Sequence, residues 1–228
     1  MTSSDARSGK SRDEIAAAYS SLPWWYDLRG FFILTFAYNS TLTRQLRFFS
    51  SNFGPRHLEV ACGTGTLLGL VLRWRRLRGL PEVQISGIDY AEPMLAGARR
   101  RFAGRRNVEI RHADVTSLPY QDASFDTVNI ANAVHCFPDV GGALRDVYRV
   151  LKPGGTLAVN VLLYPRGFAP LKHIAARLDA WGIRKGILYT PYALEDARKR
   201  LQLAGFQILR ETVAGNCYDA LVTKPRQE

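Results

Sequence analysis

Three cysteines in 228 residues, Cys62, Cys136 and Cys217, lie too far apart for a C-x-x-C pair or a metal-ligand set. An odd number with no secretory arrangement ahead of it reads as free thiols in a reducing compartment, so a cytoplasmic protein is expected. The four histidines show no zinc-like clustering either, and no metal site is expected. Long apolar runs are also missing. A membrane-crossing helix needs ~18–20 apolar residues. The longest N-terminal candidate, Phe31 to Ala37, is far shorter and follows no signal-peptide pattern. Disulfide scaffold, zinc module and membrane-spanning protein are thereby set aside.

What is present suits one α/β domain with a small cap. Hydrophobic residues make up 46% of the chain, normal for a globular protein. Met1 to Ser11 is polar and rich in small residues, the composition of a disordered start. The formal net charge is +11 and the isoelectric point about 9.9, which raises nucleic acid or an anionic membrane as partners. The arginines, however, group as Arg73, Arg75, Arg76 and Arg78, then Arg99, Arg100, Arg101, Arg105 and Arg106. Both groups fall toward the C-terminal ends of expected helices, where cations complement the helix dipole. In a doubly wound sheet those ends lie away from the ligand edge. The charge therefore reads as a solvated surface. No nucleic-acid partner is expected, and peripheral membrane contact is left open.

Apolar periodicity gives an alternating order. A short helix is expected over 12–20 and a helix-like stretch over 40–49, with Trp24, Trp25, Tyr26 and the apolar run 31–38 between them. Strands follow at 57–61, 84–89, 108–113, 127–131 and 156–163, with helices at 66–78, 92–102 and 141–151. Alternation of this kind argues for a mostly parallel sheet with right-handed crossovers. Thr190 and Pro191 suit the N-cap and first turn of a further helix, Glu195 and Asp196 its positive end, and Gly205 its stop. The runs 207–213 and 217–223 flank Ala214-Gly215-Asn216 and read as a hairpin. Residues 1–11, 12–55 and 56–228 are thus expected to be a loose start, a helical cap and the main domain.

The chemistry is concentrated in His57-Leu58-Glu59-Val60-Ala61-Cys62-Gly63-Thr64-Gly65, where an apolar strand runs into a glycine turn ahead of a helix. Such a turn lets backbone approach a ligand where no Cβ may intrude. Thirty residues after Glu59, the strand Gln84–Asp89 ends on an acid, the usual acceptor for ribose hydroxyls in doubly wound folds. A dinucleotide fingerprint would need a third glycine, but Leu68 stands there.

The turn instead resembles the first motif of class I S-adenosylmethionine-dependent methyltransferases, (D/E)-h-G-x-G-x-G with h apolar. His112-Ala113-Asp114-Val115, Leu118-Pro119-Tyr120, Ser124-Phe125-Asp126-Thr127-Val128 and Leu151-Lys152-Pro153-Gly154-Gly155-Thr156-Leu157 resemble the family's later motifs in order. The likeness covers about residues 56–161 and is nearest to the small-molecule branch containing the ubiquinone and menaquinone methyltransferases. It implies a Rossmann-like, doubly wound, seven-stranded sheet with a C-terminal antiparallel hairpin and an N-terminal helical cap. It implies S-adenosylmethionine as cofactor.

On that resemblance Glu59 steadies the methionine ammonium group or the turn itself, against a plain strand-end acid. Gly63, Thr64 and Gly65 bring backbone to the cofactor. Ala61 replaces the family's first glycine and loses the low-cost positive φ, implying a slightly altered turn. Asp89 takes the ribose, against an N-cap for the next helix. Tyr90 and Met94 pack on the adenine, Met94 equally suiting the helix core. Asp114 accepts the adenine amine and Val115 supplies a backbone donor, against a loop-capping aspartate. Asn132 follows the fourth strand, where base-methylating relatives carry (N/D)-P-P-(Y/F). Its absence here favours a small-molecule acceptor. His135 suits a general base by its ordinary pKa, or a structural histidine at the cleft edge. Tyr19 and Tyr26 offer hydroxyls on the apolar N-terminal segment and are expected to reach the cofactor.

Aromatic residues crowd the two segments that cover the cofactor in related proteins: Trp24, Trp25, Phe31, Phe32 and Phe36, then Phe168, Trp181 and Tyr189. Part of this set serves a cap core, and a surplus would line an apolar pocket for a quinone-like, isoprenoid, aromatic or lipid acceptor. An RNA or protein methyltransferase using the basic surface is one alternative. A protein of the same fold that binds the cofactor without methyl transfer is the other. The oligomeric state is not legible.

Overall fold

The computed structural model describes residues 41–166, 169–185 and 191–226. The expected helix over 12–20, the aromatic segment after it, and Tyr19 and Tyr26 lie outside these residues. In chain order the elements are α1 (Leu42–Ser50), β1 (Arg56–Val60), α2 (Thr66–Leu77), β2 (Gln84–Asp89), α3 (Glu92–Arg101), β3 (Val108–His112), β4 (Phe125–Ile130), a 3₁₀ turn (Val134–Cys136), α4 (Val140–Val150), β5 (Leu151–Leu162), α5 (Ala169–Lys185), α6 (Leu194–Leu203), β6 (Gln207–Ala214) and β7 (Cys217–Thr223). They form one seven-stranded sheet in the order β3-β2-β1-β4-β5-β7-β6. β1 to β5 run parallel, whereas β7 is antiparallel to both β5 and β6. This is the expected Rossmann-like α/β sheet with a closing antiparallel hairpin.

The central strands are buried on both faces because helices cover both. Leu58 and Val60 of β1, Val128 and Ile130 of β4, and Leu157 and Val159 of β5 pack with Leu144 and Val147 of α4 and Leu201 of α6. The opposite face packs on α1 and α2 through Phe49, Val71 and Ala158, and on α3's end through Leu68, Ile85 and Phe102. The chain order reverses between β1 and β4. Above their carboxyl ends lies the crevice where open α/β sheets bind ligands.

Several boundaries differ from expectation for identifiable reasons. β5 begins at Leu151 because α4 passes directly into the strand, and a register shift between Phe125 and Thr127 absorbs Lys152–Gly155. The last helix starts at Leu194 with Ala193 as N-cap, so Pro191 lies before its first turn. Tyr192 is held instead by backbone, donating its N–H to Leu162 O and accepting from Tyr164 N–H. Glu195 and Asp196 do occupy the first turn, and Gly205 follows the C-cap at φ 95°.

One arginine of these groups leaves the expected solvated surface, and another makes specific bonds from it. Arg75 is buried, donates to Ser50 O and Pro81 O, and lies over the Phe53 ring. Arg101 reaches back to Thr64 O and Thr66 Oγ1 at the start of α2, since α3 crosses close to that first turn: a Cβ on Gly97 would touch Thr64.

A buried asparagine fastens the exit of α1 to the sheet. Asn52 Nδ2 donates to Val128 O at 2.8 Å and Asn129 Oδ1 at 3.0 Å, while its Oδ1 accepts from Thr156 Oγ1 at 2.6 Å. Asn52→Ala leaves these partners unpaired inside the protein. It is expected to lower the unfolding free energy by about 2–3 kcal/mol, read as a lower urea midpoint at unchanged m.

Candidate functional site

The turn after β1 has the backbone of a glycine loop at three alternate residues: Ala61 at φ 54°, Gly63 at 55° and Gly65 at 72°. Alanine stands at the first of these three positions. It adopts the left-handed conformation itself, at a cost of about 1–2 kcal/mol. Flanking hydrogen bonds hold it there, from Cys62 N–H to Ile88 O and from Gly65 N–H to Cys62 O, both at 2.9 Å. Gly65 also serves as the N-cap of α2. A Cβ on it would come within 2.6 Å of the Phe102 ring, so tight packing as well as φ requires glycine there.

Asp89 ends β2 beside this turn and ties the two strand ends together. Its Oδ2 accepts Gly63 N–H at 2.8 Å and its Oδ1 accepts Ala91 N–H at 2.9 Å. Ala91, not Asp89, is the N-cap of α3. Burial raises the Asp89 carboxyl above the ordinary range, against the pull of the backbone donors Ala91, Gly63 and Tyr90. With one of these two bonds on each oxygen, the carboxylate keeps acceptor capacity for a paired donor such as a ribose diol.

Beneath the turn, Glu59 is 5% exposed and accepts from His57 Nε2 at 3.2 Å. Cys62 lies near both acids, and burial first, then Asp89 and Glu59, pushes its thiol well above the usual range. It is no nucleophile at neutral pH.

The rim beyond β2 and β3 holds the expected adenine-side residues. Tyr90 faces His112 with ring centroids 5.3 Å apart, and His112 Nε2 lies 2.8 Å from Tyr90 O. Asp114 Oδ1 accepts both Thr116 N–H and Thr116 Oγ1–H, the loop-capping arrangement. Val115 is half-buried against the main core. Met94 is fully buried on α3, as a helix-core residue would be.

Across the crevice, Asn132 sits at φ 55° just past β4. Its side chain is committed to the protein: Oδ1 accepts from Gln45 Nε2 and Asn160 Nδ2, both at 2.8 Å, and Nδ2 donates to Gln45 Oε1. Asn132 fastens the N-terminal turn of α1 over the crevice, aided by Arg44, which donates from Nη2 to Asp219 Oδ2 at 2.7 Å. Gln45, Asn160, Arg44, Asp219 and the His57 ring went unnoticed in the sequence. The pattern that exposes His57 is its place two residues before Glu59 on one strand face. His135, in the 3₁₀ turn, is buried, and burial lowers its pKa to about 4. Thr64 is buried and within 2.9 Å of Thr66 Oγ1. Among the described residues, no cluster of three His, Cys, Asp or Glu suits a metal, and no helix is long and apolar enough to cross a membrane.

Residues 58–159 match the family model described as a methyltransferase domain. The demethylmenaquinone methyltransferase of Thermus thermophilus is 45% identical over 106 residues, 46% of this chain and 46% of that protein. The chain thus matches less than half the length of that curated relative. Among solved structures, the [4+2]-cyclase SpnF aligns at TM-score 0.64 and 22% identity, covering 81% of each chain. A chain from the complex of the Haloferax volcanii Trm112 methyltransferase activator with a putative methyltransferase aligns at TM-score 0.68 and 19% identity, over 95% of this chain and 100% of that one. At these identities the structures speak for the fold. The chain resembles class I S-adenosylmethionine-dependent methyltransferases, and the match over residues 58–159 is to a methyltransferase domain, the kind whose cofactor is S-adenosylmethionine.

Two outcomes follow from this geometry. Ala61→Gly relieves the left-handed strain and adds unfolded-state entropy of about 0.5–1 kcal/mol. The melting temperature is expected to hold or rise slightly in calorimetry, and a clear fall would show that the turn is built for alanine. His135 binds its proton less readily folded than unfolded, so its contribution to stability is full above pH 6.5 and is lost as pH falls toward 4. The loss is ~3 kcal/mol, and urea titrations of His135→Phe should show a shallower decline over that window. A residual slope from His57, whose pKa is also lowered by burial, remains.

Proposed function

We propose that this chain transfers a methyl group from S-adenosylmethionine to a lipophilic or aromatic small molecule, with a quinone-like acceptor as the first choice. The observation that carries the proposal is the half-buried Asp89 carboxylate bound to the Gly63 N–H. An acid at the tip of β2 with spare acceptor capacity, beside backbone held free of side chains, fits a ribose-bearing cofactor. In this reading Asp89 takes the ribose hydroxyls, Glu59 the methionine ammonium, Asp114 and Val115 the adenine edge, and Tyr90 its face. The turn 61–65 lies along the methionine portion. The Thermus relative's name, demethylmenaquinone methyltransferase, supports the quinone-like acceptor.

S-adenosylmethionine, when bound, supplies a methyl group already activated on a sulfonium. The protein's own task is alignment and exclusion of water. His135, held neutral at physiological pH, is a weak base and serves better as a wall of the acceptor site than as a proton acceptor. An already ionised or carbon-nucleophilic acceptor suits such a site. The N-terminus of α1 is anchored at the ligand edge by Gln45 and Arg44. Residues 12–55 act in this proposal as a cap over the cofactor, with Tyr19 and Tyr26 reaching toward it.

Calorimetric titration with S-adenosylmethionine tests the cofactor assignment. Asp89→Ala should bind at least tenfold more weakly while staying folded, since a hydrogen bond to a charged group contributes roughly 1.5–3 kcal/mol. Wild-type protein should then move labelled methyl from the cofactor to a reduced, demethylated naphthoquinone. Binding without transfer to that quinol would reject the acceptor, and transfer to RNA or protein in its place would favour the basic surface as the reading face.

A further inference from the structure

His57 is the least expected residue of the sheet. It is 0% exposed in the middle of a central strand, where an apolar residue would bury without desolvation cost. Its ring stacks on Phe53 at 3.8 Å between centroids, 20° from parallel, which fixes both nitrogen-bearing edges. Nδ1 lies 2.8 Å from Thr127 Oγ1, and Nε2 lies 3.2 Å from Glu59 Oε2.

The neighbours decide the tautomer. Thr127 Oγ1 already accepts the Gly54 N–H at 2.8 Å, leaving its hydroxyl proton to donate to Nδ1. Nε2 then carries the ring proton and donates it to the Glu59 carboxylate. The opposite tautomer would set a nitrogen lone pair against a carboxylate lone pair in a buried site. Burial, and to a lesser degree Arg75 of α2 over the Phe53 ring, oppose a second proton on the ring against the pull of Glu59. Asn129, register partner of Glu59 on β4, presents a buried Nδ2 donor to which no described group is hydrogen-bonded. Glu59 thus shares one buried strand face with His57, directly before the glycine turn.

We propose that His57 is a positioning residue for the cofactor: through the chain Gly54 N–H, Thr127 hydroxyl, His57 ring, it holds the Glu59 carboxylate in one rotamer facing the turn 61–65. The inference rests on the reading of Glu59 as a cofactor ligand. It adds that this ligand is aimed by a histidine, as imidazoles and carboxylates outside a site orient the groups within it.

The unreactive product S-adenosylhomocysteine is the probe, with binding read by calorimetry and folding read separately by thermal unfolding. His57→Leu should weaken binding about tenfold without a comparable loss of stability, because an apolar side chain buries well at that position. His57→Gln, which can place an amide donor where Nε2 stood, should bind within about threefold of wild type. In a Glu59→Gln background, His57→Leu should cost less than about twofold more, the non-additivity of residues acting as one unit. A weakened Glu59→Gln beside an unchanged His57→Leu, or full additivity, would overturn the positioning role. An unchanged Glu59→Gln would remove the carboxylate assignment and the proposal with it. Nitrogen-labelled histidine in the wild-type protein gives a readout independent of any variant's folding. The His57 signals should show protonated Nε2 and unprotonated Nδ1 at neutral pH, and the reverse tautomer would defeat the proposal.

Discussion

The bond from Gly63 N–H to the Asp89 carboxylate joins the two strand ends that define the crevice. It links the turn out of β1 to the tip of β2 across the parallel register Val60↔Ile88. Together with the bond from Cys62 N–H to Ile88 O, it anchors the left-handed backbone at Ala61, Gly63 and Gly65 on the neighbouring strand. Three consecutive alternate residues in that conformation are costly when one carries a Cβ. The strain persists because the sheet beneath over-determines it. The same carboxylate accepts the N–H of the α3 N-cap, so a single side chain sets the turn, the start of a helix and the acceptor capacity that faces the crevice.

Around this anchor the polar groups of the site form two layers with different roles. Asp89, Tyr90 and Asp114 stand at the rim, where a ligand can meet them. Glu59, His57, Thr127, Asn129 and Asn52 lie beneath, on the face covered by α1 and α2. Buried polar networks are costly when half satisfied and rigid when complete. This one is largely complete, and it connects the floor of the crevice to the exit of α1. The entrance of α1 is tied separately, through Gln45 to Asn132 and Arg44 to Asp219. Both ends of the helix are therefore held by hydrogen bonds to strands or to the residues just past them, and the helix keeps a fixed relation to the ligand edge.

The surface charge plays a smaller part in the site than its size suggests. Arg149 binds Asp146 and Asp122 and holds the carbonyls of Leu118 and Tyr120. Lys224 caps the end of α4 through the carbonyls of Tyr148 and Leu151. Arg75 and Arg101 are similarly committed to backbone. These cations act as local cement for loops and helix ends, where a guanidinium or ammonium can satisfy several carbonyls at once.

Much of this architecture was legible in the residues themselves. Strand and helix periods placed β1 to β5 and α2 to α4 within a few residues, because buried parallel strands and amphipathic helices carry strong patterns. The glycine turn, Asp89 and the closing hairpin were readable for the same reason: each demands a residue type that few alternatives satisfy. The early start of β5 and the late start of α6 were not, since backbone hydrogen bonds of Leu151 and Tyr192 leave no mark on side-chain periodicity. Nor were the left-handed Ala61, the buried Arg75, the Asn132–Gln45 clasp or the His57–Glu59 pair. Alternation put His57 and Glu59 on one strand face, but whether they bond depends on Phe53 and Thr127, brought in from elsewhere in the chain. Local sequence determined which elements form and which residues are fit for a ribose-bearing ligand. Tertiary structure decided which polar side chains stand at the crevice rim and which serve the frame, because distant groups compete for the same few hydrogen bonds.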